Sequence, residues 1–189
     1  DDCNVYVGSK KAGDRVMIYL RKLYARLRLQ INEAKSAVTS AFGRKFLGYQ
    51  LWVAKGKEVK LAVSRKALLK LKTRIRQLTR RLVGRSIRDV AEKLRSYLLG
   101  WKAYFSLAQT PGVFRALGEW MRHRLRAIQL KQWQRPKTIL RELKSLGASE
   151  SVAKQVAGNS RRWWRNSGML LNSVLTLAYY DGLGVPRMS

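Results

Sequence analysis

Two adjacent carboxylates, Asp1 and Asp2, open a chain of 189 residues that holds 40 Lys and Arg against 11 Asp and Glu. Neighbouring acids at a chain start are ordinarily solvated. Paired carboxylates at a turn feeding a strand are also what two-metal phosphoryl transfer uses to hold Mg²⁺ against phosphate oxygens. Such a site needs a further carboxylate from elsewhere in the fold, and Asp14, Glu33 and Glu58 each sit in a different local context. The second chemistry-bearing set is cationic. Along residues 64–138, Arg65, Lys66, Lys70, Arg76, Arg80, Arg115, Arg122 and Arg126 fall off the apolar stripes of two helical patterns, with Arg124, Lys131, Arg135 and Lys137 adding charge, the arrangement that presents cations to a polyanion.

The formal charge of +29 leaves most cations without an internal partner, and self-repulsion of this size favours binding to an anion. Nucleic acid leads, with affinity that falls steeply with salt. An anionic membrane surface ranks below it, because the basic helices alternate with turns and carry buried-type aromatics. No apolar run reaches membrane-spanning length and no secretory signal is present. The single Cys3 excludes a disulfide framework, and with the lone His123 it cannot build a cysteine/histidine zinc site. His123 lies among arginines and reads as a surface or phosphate contact. The first residue is not methionine, so a piece of a longer polypeptide is expected.

The elements that must position these residues change character near residue 63. Residues 1–8 read as a turn and short strand, 10–29 as a helix with Val16, Leu20, Leu23 and Leu27 inward, and a further strand starts near Ser36. Residues 45–54 and 57–63 alternate and are joined at Gly56, a β-hairpin. From Ser64 the period becomes 3.6, with Leu68, Leu71, Ile75, Leu78 and Leu82 on one stripe and Gly84 as its stop. Ser86 with Asp89 starts the next helix, which reaches about residue 108. Thr110 as N-cap and Pro111 at the first helical position open a third, whose inner face is Phe114, Leu117, Met121, Leu125 and Ile128. Shorter helices follow over 137–146 and 149–157. Trp101, Tyr104, Phe105 and Trp120 read as core, and burial is also the expectation for Trp133, Trp163 and Trp164. The expected fold is α+β: a small antiparallel unit of helix plus hairpin over 1–63, then an all-helical unit over 64–189.

Beside this reading stands a resemblance. DDCNVYVGS resembles the end of the YADD active-site turn of reverse transcriptases, and LRLQINEAKS resembles the palm segment that follows it in the group II intron reverse transcriptase/maturase family. FGRKFLGYQLW is similar to that family's primer grip. RSYLLGWKAYF and LRAIQLKQWQRPKT are similar to its maturase-specific thumb, often called domain X, and RRWWRNSG with YYDGLGVPRM to the C-terminal end of bacterial members. The resemblance implies that Asp1 binds metal with Asp2 beside it, and that Lys35 helps protonate departing pyrophosphate. It makes Phe46, Leu47, Gly48 and Tyr49 a primer grip, with Gly48 admitting a nucleic-acid strand close to the backbone. Arg76, Arg80, Arg122, Arg126 and Lys131 become the leading nucleic-acid contacts, since A-form helices are gripped through phosphates and 2′-hydroxyls.

The implied cofactor is Mg²⁺ in the full-length enzyme. Implied partners are group II intron RNA and template–primer nucleic acid, with no membrane and a homodimer left open, in the bacterial cytoplasm. The implied activity is RNA splicing assistance and RNA-directed DNA polymerisation. The other palm aspartate and the fingers belong upstream of Asp1 in that family, so this chain alone is expected to be inactive as a polymerase. A non-enzymatic RNA-binding splicing factor is the competing expectation. A single cysteine does not supply the cysteine pairs of the H-N-H endonuclease module found in many relatives.

Overall fold

Hydroxyl side chains set most of the helix starts. Ser9, Ser64, Ser149 and Thr176 each accept a hydrogen bond from the backbone N–H three residues on, and Ser86 with Asp89 forms a complete capping box. The computed structural model describes residues 3–80, 84–168 and 170–188. The helices are α1 (Lys10–Arg26), α2 (Arg65–Leu78), α3 (Ile87–Tyr104), α4 (Pro111–Trp133), α5 (Pro136–Ser145), α6 (Glu150–Gly158), α7 (Trp163–Gly168) and α8 (Leu177–Gly182). A 3₁₀ turn, Leu170–Asn172, joins the last two. Three short strands, β1 (Lys45–Phe46), β2 (Tyr49–Val53) and β3 (Val59–Val63), form one antiparallel sheet in the order β1-β2-β3. The fold is α+β and mostly helical.

The period-3.6 stripes pack together as their spacing requires. Leu71 and Ile75 of α2, Leu94 and Leu98 of α3, and Leu117, Met121, Leu125 and Ile128 of α4 share one core. Ile139 and Leu143 of α5, Val156 of α6, Leu171, Leu175, Tyr180 and Met188 extend it. The last two helices, α7 and α8, therefore pack back on α4 rather than trail from it.

Several boundaries differ from the sequence reading. The stretch 45–54 is not one strand. Leu47 and Gly48, both at positive φ (49° and 82°), make a two-residue turn between β1 and β2 with Phe46 opposite Tyr49. Positive φ at both central positions is the twist that two-residue hairpins demand. No strand forms over residues 3–8 or near Ser36 among the described residues; Phe42 makes only an isolated bridge to Leu51. A strand needs a partner for its backbone groups. Helix α1 is thinly covered: of its residues only Gly13 is buried, where an added Cβ would lie 2.6 Å from Val38. Leu27, expected inward, is exposed beyond the helix end. Arg21 pins α1 to the following loop through both Nε and Nη2 on the Glu33 carboxylate, at 2.9 and 2.7 Å. Helix α2 stops at Leu78, and Leu82 lies outside the described residues.

Thr110 makes no capping bond, and its Oγ1 is buried without a partner among the described residues. The reason lies one residue earlier. Gln109 pairs with β3 like an added strand residue, its N–H donating to the Leu61 carbonyl at 2.8 Å and its Oε1 accepting from the Leu61 N–H at 3.1 Å. That pairing fixes the chain direction into Thr110, and Pro111 removes one N–H that would otherwise need capping.

Candidate nucleic-acid interface

The cations of α2 and α4 converge on one indole. The charged groups of Lys72 and Arg76 from α2 and Arg124 from α4 lie 6.0, 5.5 and 5.4 Å from the Trp120 ring centroid. Each helix supplies its pair at i, i+4: Lys72 with Arg76, and Trp120 with Arg124. Arg124 is held from behind. Its Nε donates to Thr79 Oγ1 at 2.7 Å and its Nη2 to the Thr79 carbonyl at 3.2 Å, so it also caps the C-terminal end of α2, where a cation opposes the helix dipole. Arg74 stands over Tyr97 of α3 at 5.9 Å. Charge on this face is thus anchored on aromatic and helix-end groups and stays available to phosphates.

Trp120 is also the rim of a cleft of about 970 Å³ between α4, the 3₁₀ turn and α8, lined by Arg122, His123, Arg126, Asn172, Thr176 and Leu177 among others. His123 donates through Nε2–H to the Trp164 carbonyl, 2.9 Å away, and stacks on that indole with centroids 3.9 Å apart. Trp164 itself is 41% exposed, whereas burial was expected. Arg187 closes one end, holding Asp181 through Nε and Nη2. That contact keeps the Asp181 carboxyl below its usual range.

The five arginine and lysine positions singled out in the sequence separate on this surface. Arg76 lies against Trp120, and Arg80 is exposed just beyond the C-cap of α2. Arg122 lines the cleft. Lys131 is exposed about 14 Å further along the α4 axis at the usual rise per residue. Arg126 departs from expectation: it is 7% exposed, with Nε donating to the Leu175 carbonyl at 2.9 Å, because the stripe of α4 widens once α7 and α8 cover its second side. Burial pushes its pKa down, yet a guanidinium starts so high that it stays protonated, and the cleft floor keeps a cation.

At the other end of the molecule Phe46, Leu47, Gly48 and Tyr49 form the β1–β2 turn, seated on the C-terminal end of α3. The close approach at Gly48 is made by protein: an added Cβ would lie 3.0 Å from the Phe105 ring. Leu47 points outward, 63% exposed. Tyr104, expected in the core, is 56% exposed and gives its hydroxyl to the turn. Lys35 is exposed in a turn whose backbone bonds return to Asn32. Asp1 and Asp2 lie outside the described residues. Among the described residues no three His, Cys, Asp or Glu side chains come together as a metal site. No helix among them is long and apolar enough to cross a membrane.

Trp120 and Arg124 were legible only as a core aromatic and an extra charge. Their i, i+4 spacing, matched by Lys72 and Arg76, is the signal that would have found the cluster. The cleft had no local signal, since its walls come from segments about fifty residues apart.

No curated protein matches the chain. Residues 68–146, spanning α2 to the end of α5, match the family model of the group II intron maturase-specific domain. The cation-bearing stretch from α2 to α5 is therefore similar to the maturase-specific domain of group II introns.

Proposed function

We propose that this chain binds intron RNA through the α2–α4 face and thereby holds the intron in its splicing-competent fold. The observation that carries the reading is the Lys72, Arg76 and Arg124 cluster around Trp120, inside the matched domain. Lys70, Arg80 and Lys131 extend the face toward phosphates on either side. When joined to a polymerase palm that supplies the remaining aspartate, the same thumb would hold template–primer nucleic acid near the Leu47 turn during Mg²⁺-dependent RNA-directed DNA synthesis. A homodimer on intron RNA fits the same reading.

Salt-titrated binding to a structured group II intron RNA tests it. The plot of log affinity against log salt is expected to be steep, and replacing Arg76 and Arg80 by Gln is expected to shallow it by roughly one unit each. A slope near zero removes the proposal. Restoration of splicing at low Mg²⁺ in the same RNA reads out the maturase role directly.

A second reading, an RNA-binding splicing factor without catalysis, is favoured by where the acids go. Glu33, Glu58, Glu142, Glu150 and Asp181 pair with basic neighbours, and Asp89 caps α3. Primer extension with Mg²⁺ and deoxynucleotides by the chain joined to a polymerase palm separates the two: synthesis there contradicts the second.

A further inference from the structure

Resting on the RNA-binding reading, we infer that the cleft beside α4 takes a single unpaired nucleotide of the bound RNA, its phosphate on Arg122. Arg122 is half-buried and makes no hydrogen bond or ion pair among the described residues. It lies over Gly118, where an added Cβ would come within 3.2 Å of its Nη1. Its neighbour in the floor is the buried Arg126, also cationic and tied, among the described residues, through Nε to a carbonyl. Two guanidinium groups that face one cleft and repel each other are stabilised by an anion between them. Asp181, whose carboxylate also feels the Arg122 charge, is already held by Arg187. Glu119, on the same wall, is the acceptor available to a base amine.

The remaining walls suit a base. His123 lines the cleft with its imidazole backed by the stacked Trp164 indole, and Gly168 lies against the ring, where a Cβ would come 3.2 Å from Nε2. Asn172 and Thr176 add polar edges. A volume of about 970 Å³ admits one nucleotide and not a duplex. Trp120 joins the two surfaces, for it lies at the rim of the cleft and at the centre of the α2–α4 cation cluster. A duplex on that face brings a bulged or terminal nucleotide to the cleft mouth, the presentation in which RNA bases are read individually.

The test compares two synthetic RNA hairpins, one with a fully paired stem and one with a single unpaired nucleotide in the same stem, titrated against the full chain at fixed salt. The wild type is expected to prefer the bulged hairpin about tenfold, the scale of one base captured on aromatic and charged groups. Arg122→Gln is expected to bring the ratio of the two affinities to about one. Leu177→Glu does the same from the exposed start of α8, where an acid suits the helix and the core is untouched. Arg76→Gln weakens both hairpins by the same factor. Equal wild-type affinities, or a preference that survives both Arg122→Gln and Leu177→Glu, overturns the cleft assignment while leaving RNA binding intact. Failure to bind either hairpin at low salt overturns the assignment together with the reading it rests on.

Discussion

Tyr49 and Tyr104 clasp each other's backbone surroundings across the junction of sheet and helices. The Tyr49 hydroxyl donates to the Tyr104 carbonyl at 2.6 Å, the Tyr104 hydroxyl donates to the Leu47 carbonyl at 2.9 Å, and the rings stack with centroids 6.3 Å apart. The carbonyl of Tyr104 belongs to the last turn of α3, where no intrahelical donor remains. One tyrosine thus satisfies the helix end and the other satisfies the hairpin turn. Tyr104→Phe is expected to cost about 1 kcal/mol, the net worth of a single such bond, with faster amide exchange over residues 46–49. Tyr49→Phe should match it, and the double variant should show coupling in a denaturation cycle. Additive losses would mean that the two bonds form independently.

The turn they hold carries a strained residue. Leu47 sits at φ 49° with its side chain in solvent, so no packing compensates the left-handed backbone. Leu47→Asn is expected to stabilise by about 1 kcal/mol, because Asn tolerates this conformation. Gly48→Ala acts oppositely: positive φ and the Phe105 ring both oppose a Cβ, and a loss of about 2 kcal/mol or more is expected. Urea midpoints of the two variants moving the same way would contradict this account.

These residues show what the sequence could and could not disclose. The helical stripes were readable because period and burial coincide: Leu117, Met121, Leu125 and Ile128 are all buried as spaced. The break at Leu47–Gly48 was hidden, since leucine is an unexpected occupant of a left-handed turn position. The strands expected around Val5 and Ser36 required pairing partners that local alternation cannot guarantee. Arg126 looked like its exposed neighbours because the segment that buries it, ending at Leu175, lies 49 residues away. The outward positions of a single helix face were legible; the cleft, assembled from α4 and the C-terminal turns, was not.

Arg124 links the cation cluster to fold stability. Arg124→Gln removes two bonds to Thr79 at the end of α2, with an expected loss of about 1–2 kcal/mol. Arg124→Lys restores charge over Trp120 without the forked donors, so RNA affinity should recover further than thermal stability does. Recovery of both together would mean that charge alone explains the position.

Acid is expected to destabilise the protein. The carboxyls of Glu33, Asp181 and Glu150 are lowered chiefly by side-chain hydrogen bonds from Arg21, Arg187 and Lys154, and that of Asp89 by Ser86. Each contribution is complete above the unfolded values near about 4 and disappears as pH falls through the lower folded values. Protonating the 11 acids also leaves 40 cations unopposed. Tm should be level between about pH 7 and 5 and fall below about pH 4. Asp181→Asn should flatten the part of the fall that belongs to the C-terminal turn.

Tyr180 offers a test with the opposite sign. Its ring is fully packed between α4 and the C-terminal turn, yet its hydroxyl has no partner among the described residues, and burial pushes the phenol well above its ordinary pKa. A buried hydroxyl without a bond retains its desolvation cost, so removing it while keeping the ring should help or change nothing. Tyr180→Phe is expected to raise stability by up to about 1 kcal/mol, whereas Tyr180→Ala should lose about 3–5 kcal/mol through the cavity. Calorimetry on the pair separates the ring from its oxygen. A loss above about 1 kcal/mol for Tyr180→Phe would show that the hydroxyl is bonded in solution.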